Sequence, residues 1–159
     1  MRTVRALHDL ALALMTGGIV GVGLSVSVLF ARAPSRDVAG QIGGGIFGAV
    51  GPYVLLLGSI VCGARLLMRT TEPASRVGLF ATAASALVVI IAALNVFWLT
   101  PRMRLIWESA SHAADGSGLQ GEPRREFLAL HGLSNLAYLS ILLIGLLLIL
   151  LRPKEPERP

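Results

Sequence analysis

FLALHGLSNLAYLSILLIGLLLILL, residues 127–151, contains no Asp, Glu, Lys or Arg. A helix rising 1.5 Å per residue needs about 20 residues to cross a hydrocarbon core of roughly 30 Å, and this stretch exceeds that. Its apolar residues run continuously, without the period of two that a membrane barrel strand requires. It reads as a transmembrane helix. Three other charge-free stretches, 10–31, 38–64 and 77–100, are long enough to do the same. With short connections between them they use up residues 1–151, leaving 152–159, RPKEPERP, as a proline-rich charged tail expected to be disordered.

Composition agrees. Of 159 residues, 54% are hydrophobic and 14% charged, and the mean hydropathy is +0.72, well outside the soluble range. The expected fold is all-α, an integral membrane four-helix bundle forming one domain. The net charge of +5 does not point to nucleic acid, because the basic residues are scattered among loops without an aromatic-interleaved patch. Contact with anionic lipid headgroups accounts for them, and the lipid bilayer is the first expected partner.

Arg2, Arg5, Arg65, Arg69, Arg76, Arg152, Lys154 and Arg158 fall on one side of this topology. Arg32, Arg36, Arg102, Arg104, Arg124 and Arg125 fall on the other, where Glu108, Asp115, Glu122 and Glu126 dilute them. The bias places both termini in the cytoplasm and the protein in an inner or plasma membrane. The first span, preceded by Arg2 and Arg5, exceeds a signal-peptide core of about 7–15 residues and is expected to be retained. Cys62 is the single cysteine, so no disulfide forms within one chain.

Ser35 or Asp37 can cap the second helix and Ser75 the third. Gly40, Gly44 and Gly48 recur every four residues, and Gly17 and Gly21 form a matching pair on the first helix. Such faces let backbones approach closely. They are expected to pack helix one against helix two, or against a second subunit or other membrane protein. Pro52 lies inside the second helix, where a kink or break is expected. The third helix should stop at Trp98 and Pro101. In the following PRMRLIWESASHAA, Met103, Ile106, Trp107 and Ala110 would form one stripe of a separate amphipathic helix lying in the outer interface.

Chemistry-bearing residues are few. His8 and His131 fall at opposite membrane faces, and only His112 could share a site with His131. Two imidazoles without a cysteine or carboxylate cluster make a poor metal or haem site, so no metal, cofactor or catalytic residue is assigned. No phosphate loop, Ser-His-Asp set or HExxH occurs, and the protein is expected not to be an enzyme. The spans hold no central acid of the kind proton-coupled transport uses. Their deep polar residues are neutral and include Ser134, Asn135 and Asn95. Asn95 and His131 lie at similar depth, so Asn95, Arg102, Arg104, Glu108, His131 and Ser134 form the candidate polar cluster. Asn95 or the third loop is expected to satisfy His131.

The segments LFAR, DVAGQIGGGIF, LNVFWLTPRM and EFLALHGLSN resemble the transmembrane-protein-205-like family, a four-helix membrane family labelled a domain of unknown function. The resemblance spans roughly residues 10–150. It carries over Arg32, Ala39, Gly40, Phe47, Asn95, Pro101, Arg104, Glu108, Phe127, His131 and Ser134 as recurrent positions. The chain departs from the pattern in IFGAVGPY and at Tyr138, where the family often has asparagine. The expected role is non-enzymatic: membrane interaction, or assistance to transport of a small solute or metal complex. The rival expectations are a haem- or copper-binding redox protein, and an outer-leaflet lipid or quinone binder using Trp98, Trp107 and the Arg102 region.

Overall fold

In a computed structural model, which describes residues 2–70, 75–111 and 119–151, the chain is a helical bundle. Helix α1 spans Arg2–Arg32, α2 Arg36–Arg69 and α3 Arg76–Leu94. A π-helical segment, Asn95–Leu99, joins α3 to α4, Thr100–Ser111, and α5 spans Gly121–Leu150. Among the described residues four helical stretches are long and apolar enough to cross a membrane, α3, the π segment and most of α4 counting as one. The protein is a multi-pass membrane protein.

α1 packs on α2 and α5, and α3 packs on the same two helices. Short connections make sequential neighbours antiparallel. The four spans therefore close a ring in the order α1, α2, α3, α5, with α2 and α5 on its diagonal. One end of the ring carries the start of α1 (the terminal end), and the other carries the α1–α2 turn (the far end). Met15, Val54, Val61, Val88 and Ile141, none more than 1% exposed, occupy the middle of the core. Lipid is as apolar as these side chains, so close packing and interhelical hydrogen bonds hold the ring together.

Local chemistry sets the ends. Ser35 Oγ accepts from Val38 N at 3.3 Å to cap α2, and Ser75 Oγ accepts from Gly78 N at 3.0 Å to cap α3. Gly121 opens α5 with φ 59°, a left-handed conformation suited to glycine. The helices extend past the charge-free stretches because polar residues outside the hydrocarbon continue a helix at little cost.

Three expectations are revised. Of the kink or break expected at Pro52, the break does not occur: α2 runs through Pro52 as one helix. The third helix does not stop at Pro101, and α4 is its continuation rather than a separate interfacial helix. Proline lacks an N–H and crowds the carbonyl one turn back. Here the turn before it widens to π spacing, with Thr100 N donating to Asn95 O, and the helix carries on.

The third correction concerns glycine. A Cβ on Gly17, Gly21, Gly40, Gly44 or Gly48 would meet nothing within 4 Å, so these residues do not pack α1 against α2. The glycines that do admit neighbours are different. At Gly18 a Cβ would lie 2.8 Å from Tyr53 Cε1, and the ring fits there while its hydroxyl donates to Leu14 O at 2.8 Å. Gly58 faces Val88, and Gly145 receives the methyl of Thr16. His112, the turn residues 71–74 and the tail 152–159 lie outside the described residues.

Candidate functional site

The π segment positions the most buried polar side chain of the far half. Asn95, 1% exposed, begins that segment. Its Oδ1 accepts from Ser134 Oγ at 3.1 Å and from Thr100 Oγ1 at 3.4 Å, while its Nδ2 reaches Ser134 O at 3.5 Å. One amide thus ties the α3 line to α5 and to the first residue of α4. Ser134 is itself only 6% exposed, so the exchange takes place inside the ring. A hydrogen bond in that setting has little competition from water.

His131 is not part of this exchange. Its ring stacks on Phe127, centroids 6.0 Å apart and planes within 6°. The Phe47 ring meets it edge-on at 6.5 Å. Phe47 also lies 5.9 Å from Tyr138, so aromatic side chains join the diagonal helices α2 and α5. The expectation that Asn95 satisfies His131 is corrected: the Asn95 oxygen is taken by two hydroxyls, and the half-buried imidazole packs as an aromatic ring.

The charged members of the candidate cluster stand apart from Asn95 as separate pairs. Arg102 donates through Nε and Nη2 to Glu126 Oε1 at 2.9 and 2.7 Å, linking α4 to the start of α5. Arg104 pairs with Glu108 one turn along α4 at 2.6 Å. Both pairs are substantially exposed. Trp107 lies 5.9 Å from Phe127, completing the α4–α5 contact above the aromatic column. The single cluster expected from sequence is therefore three units: a buried Asn95–Ser134–Thr100 network, an aromatic column through His131, and surface ion pairs. Thr100 and Glu126 were members sequence reasoning missed, and Phe47, Phe127 and Tyr138, named only through the family resemblance, were not placed beside His131. Glu126 sits next to Phe127 in the sequence, and its charge opposite Arg102 was the available signal.

A second polar group lies at the terminal end. His8 Nδ1 and Asp9 Oδ1 are 3.1 Å apart, and His8 Nε2 is buried without a hydrogen-bond partner among the described residues. Arg65 is 8% exposed, and its Nη2 lies 3.5 Å from where a Cβ on Gly78 would stand. Along α1, His8 is separated from Phe30 by about 33 Å on a rise of 1.5 Å per residue. Phe30 is at the far end, where it approaches Gly43. His8 and His131 thus belong to opposite ends and cannot be axial ligands of one haem. Among the described residues no group of three or more His, Cys, Asp or Glu side chains converges to hold a metal ion.

The remaining distinctive surface is the outer face of α2. Between residues 43 and 52 its uncovered positions are Gly44, Gly45, Gly48, Ala49 and Pro52. By contrast α1, α3 and α5 turn leucine, isoleucine, valine and phenylalanine outward along much of their length. Taken together these five α2 positions face away from the α2 core residues Val50, Val54 and Val61, with Gly44 and Gly48, four residues apart, toward one edge of the strip.

No curated protein and no solved structure matches the chain closely enough to count as a relative. A family model does match, over residues 10–112, which covers α1 from Leu10 through the whole of α4 and leaves α5 outside. Asn95 and the small-residue face of α2 fall within that match, whereas Ser134 and His131 do not. The chain belongs to the DUF4149 family, a domain of unknown function.

Proposed function

We propose that this protein is a non-enzymatic membrane interaction protein that presents the small-residue face of α2 to a transmembrane helix of another membrane protein. The observation that carries this reading is the strip Gly44, Gly45, Gly48, Ala49 and Pro52, uncovered by the rest of the chain and bordered by no close neighbour at its glycines. Small residues four apart let a second helix approach closely and exchange van der Waals contacts that lipid tails cannot match. The same strip would gain nothing from facing lipid alone. The distribution of arginine supports an inner or plasma membrane with the terminal end in the cytoplasm. The motifs around LNVFWLTPRM and EFLALHGLSN support kinship with the transmembrane-protein-205-like family, and a role beside a transporter of small solutes or metal complexes fits a bundle without a central membrane carboxylate.

The test is a photo-crosslinking amino acid at Ala49 in the native membrane. A discrete protein adduct is expected, lost when Gly44→Leu and Gly48→Leu are introduced together and retained when Leu66→Ala, on an exposed part of α2 remote from the strip, is introduced. Adducts to lipid alone would overturn the reading.

A further inference from the structure

Asn135 is the anomaly of the lipid-facing surface. It is exposed near the middle of α5, and its amide makes no hydrogen bond among the described residues. At 1.5 Å per residue it lies about 13 Å from Glu126 and about 24 Å from Leu151 along the helix. No charged residue occurs between those points. An amide left unpaired in hydrocarbon is costly, and the bilayer offers it no partner. Ser140, also on α5, solves the same problem by donating to Leu136 O at 2.8 Å. Asn135 does not.

Its neighbours on the helix surface have a pattern. Leu128, Gly132, Asn135, Leu139, Leu142 and Leu146 follow one another in alternating steps of four and three. All are exposed except Leu142, which is half-buried. That is the spacing of a coiled-coil seam, and a single asparagine in such a seam sets register and oligomeric state. Gly132, one turn from Asn135 and open to its surroundings, would let a second backbone come close beside the amide.

We propose that α5 is the self-association surface of this protein, its seam pairing in parallel with the seam of a second copy across a two-fold axis along the membrane normal. Two copies inserted with the same orientation place their α5 helices parallel and their Asn135 side chains at one depth. The amide carries both a donor and an acceptor, so it is complementary to its own symmetry mate and each satisfies the other. A lipid acyl chain cannot do this. α5 stands diagonally opposite α2 in the ring, so a dimer through α5 leaves the α2 strip open, and the two surfaces can succeed or fail separately.

The experiment uses the full chain carrying Cys62→Ala, purified and reconstituted in phosphatidylcholine vesicles, with single cysteines introduced one at a time. Gly132→Cys, Leu139→Cys and Leu146→Cys lie on the seam; Leu133→Cys, Leu136→Cys and Leu147→Cys are equally lipid-exposed but off it. Oxidative crosslinking is expected to give disulfide dimers at the seam positions and little at the others. Asn135→Leu in the Leu139→Cys background should lower the association constant about tenfold, while Asn135→Gln, which keeps the amide, restores most of it. Asn135 is exposed and makes no hydrogen bond among the described residues, so neither variant should disturb the bundle. Gly44→Leu with Gly48→Leu should leave the α5 crosslinks unchanged. Crosslinking without preference between the two faces, loss of the seam signal in the α2 variant, or no effect of Asn135→Leu would overturn the proposal.

Discussion

At the scale of single residues, burial decides which polar groups matter. Asn95 and Asn135 are both amides within charge-free stretches, yet one is enclosed and bonded to α5 and the other faces outward without a hydrogen bond among the described residues. Replacing Asn95 with alanine removes the acceptor used by Ser134 and Thr100 and is expected to destabilise the bundle by about 1–2 kcal/mol, the upper range for interhelical hydrogen bonds in membranes. Unfolding in mixed micelles of increasing denaturing-detergent fraction checks this, and Ser134→Ala combined with Asn95→Ala should cost less than the sum of the two. His131 behaves differently. Its contacts are with Phe127 and Phe47, so His131→Phe should retain stability within about 1 kcal/mol, since a ring of similar shape is kept. The sequence marked Asn95, Ser134 and His131 as unusual without revealing their pairing. A helix places residues by depth, but which of two neighbours at one depth bond depends on rotation about each helix axis.

Rotation is also what separates the legible from the illegible among the elements. The four spans could be read directly, because any charged residue in hydrocarbon is so costly that the boundaries appear as charge. Their faces could not. In water an apolar stripe marks the core, whereas here both the core and the lipid side are apolar, so Gly40, Gly44 and Gly48 show a stripe without showing which way it points. The α3–α4 junction misled for another reason: Pro101 is a strong stop signal, and the π segment that absorbs it leaves no mark in composition. A π segment is equivalent to one added residue, which turns α4 by about 100° relative to a continuous α-helix. Deleting Phe97, which is 73% exposed, should let Asn95–Leu99 relax to α-helical spacing and swing Trp107 off Phe127. With Trp98→Phe to isolate the signal, Trp107 emission is expected to shift and to become more accessible to a water-soluble quencher. An unchanged spectrum would show that α4 keeps its orientation by its contacts with α5 alone.

For the molecule as a whole, the ring of α1, α2, α3 and α5 divides its surface into faces suited to different neighbours. Large apolar side chains suit lipid, the Asn135 seam suits a second copy, and the bare strip of α2 suits a closely packed foreign helix. The last of these carries the functional reading, and accessibility to lipid measures it most directly. With Cys62→Ala as background, single cysteines at Gly48 and at Leu66, both uncovered on α2, are labelled with a spin probe and exposed to a lipid-soluble relaxant, first in native membranes and then in dilute vesicles of purified protein. The Gly48 position is expected to be shielded in native membranes and to become as accessible as the Leu66 position on dilution into lipid. Equal, high accessibility of both positions in the native membrane would contradict a helix seated on the α2 strip.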